Sequence, residues 1–324
     1  MSNSNIIEYL EKLPNTITKL NLSNSNLTVL PNLQKFSYLQ VLICSTNFLT
    51  VIKDLPETLQ VLICKFNKLT ELYLPNSLQK LNCRCNLLTE LYLPNSIKKL
   101  DCTDNFLTKI NIHPNVKELN CSYNKLTEIN IPINLKKLNC AGNFLREINI
   151  PSNVKELNCS YNILKYLDCS HNNLKYLDCS SNNIKELKLS KVLKKLYCNG
   201  NRIINIDLPK NLQILNCSCN FIKELKLPEK LIKLFCIYNF ITLLNLSKSL
   251  KILDCSNNYI TQINNINSSL EYLYSNNNLL LYNDINKLKE ISDLRQQKIF
   301  IFILGFTYDK KINDDIINKI INYI

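Results

Sequence analysis

Twelve cysteines stand in one column of the sequence, Cys44, Cys64, Cys83, Cys102, Cys121, Cys140, Cys159, Cys179, Cys198, Cys217, Cys236 and Cys255, each nineteen or twenty residues after the last. Thiols at so regular a spacing raise two chemistries, zinc ligation and disulfide exchange. Zinc requires about four ligands converging tetrahedrally on one point, whereas a fixed period supplies one thiol per repeat along a line. Neighbouring repeats can bring Cα atoms within disulfide range, yet an unbroken ladder favours no particular pairing. A free cysteine otherwise behaves as a small buried hydrophobe, and packing is the role this spacing supports. Cys85 and Cys219 stand apart, each two residues beyond a column cysteine, and are the candidate exposed, reactive thiols.

The other residues that carry chemistry do not assemble into a site. His113 and His171 fall in different repeats, with no serine, cysteine or carboxylate at a spacing that would build a catalytic constellation. Acidic residues are scattered singly, and three glycines in 324 residues leave no material for a phosphate-cradling loop. The expectation is a protein that is not an enzyme and takes neither metal nor cofactor.

What must position these columns is a repeat. Three residues after each column cysteine comes an asparagine, from Asn47 to Asn258; two before lies leucine; five before lies Leu, Ile or Val. Degenerate copies flank the array, Ile17-Leu20-Leu22 with Ser25 in the asparagine position and Leu270-Leu273-Ser275 with Asn278. The unit reads L-x-x-L-x-C-x-x-N-x-L-T-x-L-x-L-P-x-x, as from Leu78 to Ser96. Alternation of Leu81 and Cys83 with polar Lys80, Asn82 and Arg84 is a period-2 strand. Strands recurring at this interval without a helical pattern between them stack in parallel, each unit burying its apolar face against its neighbours. Pro94 and its equivalents hold the return segment extended.

This unit resembles the leucine-rich repeat with cysteine in its third apolar position, and its shortness and Leu-Pro runs (Leu74-Pro75, Leu93-Pro94, Leu208-Pro209) are most similar to the short repeats of bacterial effector proteins. The cysteine column and the Asn/Lys/Ile-rich wording are also similar to repeat proteins of amoeba-infecting giant viruses. The resemblance implies a leucine-rich-repeat solenoid, or horseshoe, with a parallel β-sheet on the concave face, a mostly irregular or extended convex side, and an asparagine ladder satisfying the turn after each strand. Residues 1–16 are read as an N-terminal cap, 17–280 as fourteen repeats, and 281–324 as a helical C-terminal cap with Ile316, Ile317, Ile320, Ile321 and Ile324 on one helical face. Cys169 lies ten residues after Cys159, too few for a full circuit, and is assigned to the convex return.

Function is expected on the concave face, the extended surface such solenoids use. Its third strand position is Asn or Asp in nine of fourteen units, suggesting side-chain amide ladders. Beside it runs a basic margin that includes Lys98, Lys99, Lys117, Lys136, Lys137 and Lys155, within a net charge of +13. Apolar outward residues gather towards the ends, Ile43, Ile63 and Phe66 early, Phe235 and Tyr238 late. These eleven residues are the candidate partner-binding positions. The leading expectation is a monomeric, non-enzymatic scaffold that binds a protein, plausibly one with an acidic surface. Two alternatives stand: a ubiquitin-ligase adaptor with an F-box-like C-terminal tail, and a basic nucleic-acid-binding solenoid. Nucleic acid is disfavoured because stacking aromatics do not interleave with these lysines. With no secretory leader, no apolar run long enough to span a membrane and fifteen cysteines, a reducing cytoplasm is expected, including that of a host cell.

Overall fold

Each unit needs only three residues of strand, because only one leucine per strand has to point inward. In Lys80–Asn82, Lys99–Asp101, Glu118–Asn120, Lys137–Asn139 and Glu156–Asn158 the central leucine is buried and its neighbours face out. A computed structural model describes residues 3–266, 269–280 and 300–302. In it these strands form one parallel sheet of fifteen. Leucine faces leucine without a slip along the array, as in Leu81↔Leu100, Leu100↔Leu119 and Leu119↔Leu138. The protein is a parallel solenoid, helix-poor, with one strand per repeat in this sheet.

Behind the strands the core is a stack of identical layers. Leu81, Cys83, Leu88 and Ile97 are all buried, and the same four positions recur in the next unit as Leu100, Cys102, Leu107 and Val116. The turn into most strands is closed by a carbonyl that accepts from the amide three residues on, often a proline's, as in Leu78 N–H to Pro75 O (3.2 Å) and Ile97 N–H to Pro94 O (3.2 Å). Beyond the N-terminal helix the described return segments contain no helix, only three short two-stranded sheets such as Tyr166–Asp168 with Glu186–Lys188. Cys169 follows the first of those strands and is buried on the return side.

The first unit would expose its core to water. Helix Asn3–Lys12 covers it, burying Ile6 and Leu10 in the common core, while Lys35 Nζ donates to the Leu10 carbonyl at 2.7 Å. At the other end Phe300–Phe302 adds a fifteenth strand, parallel to Tyr272–Tyr274. These three residues belong to the apolar run Ile299–Phe306 of the sequence, and an Ile- and Phe-rich run suits a strand of a parallel sheet. The rest of the expected C-terminal cap, including the helical face from Ile316 to Ile324 and the F-box-like reading of it, lies outside the described residues.

Candidate functional site

The asparagine column builds the edge on which the surface is mounted. Asn124 Nδ2 donates to the carbonyls of Cys102 (3.0 Å), Cys121 (3.1 Å) and Ser122 (3.2 Å), and its Oδ1 accepts from Leu107 N–H (3.0 Å). One buried amide thus ties its own turn to the preceding unit, satisfying groups that the strand ladder leaves unpaired. To present that amide inward, the residue before it adopts a left-handed backbone, with φ between 51 and 57° at Phe66, Cys85, Asp104, Tyr123, Tyr161 and Cys219.

The concave sheet carries the candidate lysines in two different environments. Lys99 and Lys137 occupy the first strand position, where Glu118 and Glu156 alternate with them, and each forms an ion pair at 2.9 Å with the next unit's glutamate. Such half-exposed pairs add little stability, about 0–1 kcal/mol, but they neutralise the column. Lys98, Lys117, Lys136 and Lys155 lie one residue earlier, and Lys175 and Lys194 continue their line. The six are stacked by direct backbone bonds, Lys117 N–H to Lys98 O (2.8 Å) through Lys194 N–H to Lys175 O (3.0 Å). All six are exposed, and none forms an ion pair among the described residues. They border a shallow trough of about 460 Å³ whose lining runs from Lys80 to Tyr176.

The Asn/Asp column beside them is not the cross-rung amide ladder its composition suggested. Asn120 Oδ1 accepts from Ser122 N–H (3.2 Å) and Ser122 Oγ–H (2.7 Å), and Asp101, Asn158, Asp178 and Asp254 do likewise with the residue two ahead. A carboxylate or amide placed two residues before a hydroxyl closes its own turn more readily than it spans units. Asn82 to Asp101 (3.3 Å) is a cross-rung exception.

The apolar candidates separate. Ile43 and Ile63 pair directly in adjacent strands, with Val41 and Val61 beside them, making a small apolar patch on the concave face. Phe235 is half-buried in the same sheet. Phe66 and Tyr238 belong elsewhere: both sit at the left-handed turn position and face the rim where the strands end. There they join a surface that the candidate residues did not include. Phe48, Phe106, Phe144, Phe221, Phe240 and Tyr259 each follow a ladder asparagine and are 41–53% exposed. Phe221, Phe240 and Tyr259 stack at centroid distances of 6.0 and 5.8 Å. With Tyr238 and Cys219 they wall a groove of about 580 Å³. The signal was present in the aromatic-rich position after each asparagine, but period-2 reading ends at the strand.

Thirteen of the fifteen cysteines are buried; Cys85 is half-buried and Cys219 exposed. Burial in an apolar column pushes the ladder thiols up, Cys44, Cys121 and Cys217 to about 12, which holds them protonated and unreactive. Among the described residues no group of three or more His, Cys, Asp or Glu could hold a metal, and no helix is long and apolar enough to cross a membrane.

No family model matches the chain, and no curated protein matches it. Solved structures do. YopM from Yersinia enterocolitica is 30% identical with a TM-score of 0.67, over 75% of this chain and 61% of that one. The functional domain of InlJ from Listeria monocytogenes, which includes a cysteine ladder, is 30% identical with a TM-score of 0.73, over 81% and 64%. YopM from Yersinia pestis, a leucine-rich effector protein, is 25% identical with a TM-score of 0.68, over 81% and 84%. The chain spans less than two thirds of the length of the first two.

Proposed function

The chain is a leucine-rich-repeat protein of the short-repeat kind similar to bacterial effectors, and from that premise we propose that it is a non-enzymatic scaffold whose concave face binds an acidic surface of another protein. One observation carries this reading: six lysines, Lys98 to Lys194, stand in line on consecutive units without an ion pair among the described residues. At about 4.8 Å per unit the line is about 24 Å long, and unpaired charge at such spacing repels itself until a partner's carboxylates lie along it. Charge of this kind raises association rate and fixes orientation more than it adds affinity. The free thiols fit a reducing compartment, so the cytoplasm, including that of a host cell as for an effector, is the proposed place of action.

Reversing Lys117, Lys136 and Lys155 to Glu tests the site on the partner recovered with the intact protein. The expected outcome is slower association, with salt dependence flattened or inverted, at unchanged thermal stability. A second reading rests on the Ile43/Ile63 patch, since contiguous exposed apolar surface marks contacts. In that case Ile63→Asp abolishes binding and the lysine triple variant leaves it intact. If neither variant changes binding, the concave face is not the site.

A further inference from the structure

The aromatic rim is a second surface, on the edge of the sheet where the strands end, opposite the edge that carries the lysine line. Fourteen units at about 4.8 Å make it about 60 Å long. Exposed rings recur along it from Phe48 to Tyr259, and contiguous exposed apolar surface marks contacts. The aromatic side chains are also held there at a conformational cost, since Tyr123, Tyr161 and Tyr238 occupy backbone with φ of 51–52°, where Gly or Asn is unstrained.

The two halves of the rim differ in a complementary way. In the N-terminal half cations sit among the rings: Lys68 Nζ lies 5.2 Å from the Phe48 centroid, Arg84 5.4 Å from that of Phe66, and Lys125 4.8 Å from that of Phe106. In the C-terminal half the groove is lined by Cys219, Phe221, Tyr238, Phe240, Tyr259 and asparagines, with no charged residue. The N-terminal half has cations beside its rings, and the C-terminal groove has rings without cations.

We propose that the rim is a dimerisation surface: two copies of this chain associate rim to rim, antiparallel, about a two-fold axis passing between the units of Asn143 and Asn162. A two-fold interface is self-complementary, so the cationic half of each copy meets the uncharged aromatic half of the other. This axis sets Lys68 over Tyr238 and Phe240. It sets the unit of exposed Asp104 opposite the unit of exposed Arg202, which brings the two charges into adjacent columns. Phe144 falls opposite Ile163. Cys85 and Cys219, the two cysteines that are not buried, face each other. Moving the axis so that each unit meets the next one along brings Arg202 against Lys125. Moving it the other way leaves Asp104 and Arg202 without opposite charges. The concave face stays open in this arrangement, so the inference is independent of the proposed function.

The test uses the full-length protein alone. Sedimentation across the micromolar range should show a reversible monomer–dimer equilibrium. Asp104→Arg and Arg202→Asp should each weaken it about tenfold, and the double variant should restore it, because charge swapping repairs only a pair that meets. A short bis-maleimide, which adds to thiols without redox chemistry, should link dimers through Cys85 and Cys219; Cys85→Ser or Cys219→Ser alone should abolish the link. A monomer at every concentration, losses that add in the double swap, or a cross-link that survives either serine variant would each overturn the proposal.

Discussion

Asn124 shows how much a single side chain does in this architecture. Its four hydrogen bonds join two units, and alanine there strands the Leu107 amide in a buried turn, while the three carbonyls each keep one donor, Cys102 from Asn105, Cys121 from Asn143 and Ser122 from Asp104. At about 1–3 kcal/mol for an unsatisfied buried group, Asn124→Ala should cost about 2 kcal/mol. Urea unfolding measures it, and an unchanged midpoint would remove the ladder from the account. The cysteines make a pH prediction. Their folded-state thiols are raised, Cys44, Cys121 and Cys217 to about 12, while the unfolded chain gives up those protons near pH 8.5. Between these values unfolding releases protons, so stability is full below about pH 8.5 and falls as pH rises, by about 1.4 kcal/mol per pH unit for each thiol. Urea midpoints should therefore drop steeply from about pH 8 to pH 10, more steeply than those of a Cys121→Ala, Cys140→Ala variant pair relative to their own neutral value. Equal pH slopes would mean the ladder is not buried. Both columns were legible in the sequence because identity and period coincide there. The exposed rings beside each asparagine were not, since Phe48 and Tyr123 differ from buried aromatics only in a turn geometry that their residue types conceal.

Strand and turn elements explain which expectations changed. Period-2 alternation placed Leu81, Leu100 and Leu119 in register before any coordinates, because a one-residue slip would turn every leucine to solvent. It could not show that Glu118 and Glu156 would neutralise Lys99 and Lys137, which depends on neighbours nineteen residues away becoming adjacent. Nor did it reveal the left-handed turn residue, since Phe, Cys, Asp and Tyr occupy most of those positions. Gly142 and Gly200 share that conformation, with φ of 63 and 65°, but their surroundings differ. A Cβ on Gly200 would meet its nearest neighbours at 3.5 Å, and one on Gly142 would lie 2.7 Å from Tyr123 Cδ1. Gly200→Ala should cost about 1 kcal/mol from backbone strain alone. Gly142→Ala should cost more, and Tyr123→Ala should relieve the excess. Equal costs in thermal melts would contradict the crowding at Gly142.

The whole molecule is a one-dimensional stack in which each unit is stabilised by its neighbours. The parallel sheet followed from the period of the sequence. The division of the outer surface into a lysine edge, a neutralised trough and an aromatic rim followed only from coordinates, because those surfaces are columns across units rather than segments of chain. The central functional claim is that a partner lies along the concave face beside the lysine line. Installing a photo-reactive residue at concave Asn139, and separately at exposed Glu147 on the return side, tests it most directly. Irradiation in cells should yield a discrete protein adduct from position 139, lost when Lys117, Lys136 and Lys155 are reversed to Glu, and none from position 147. An adduct from 147 alone, or one from 139 that survives the lysine reversal, would contradict the account.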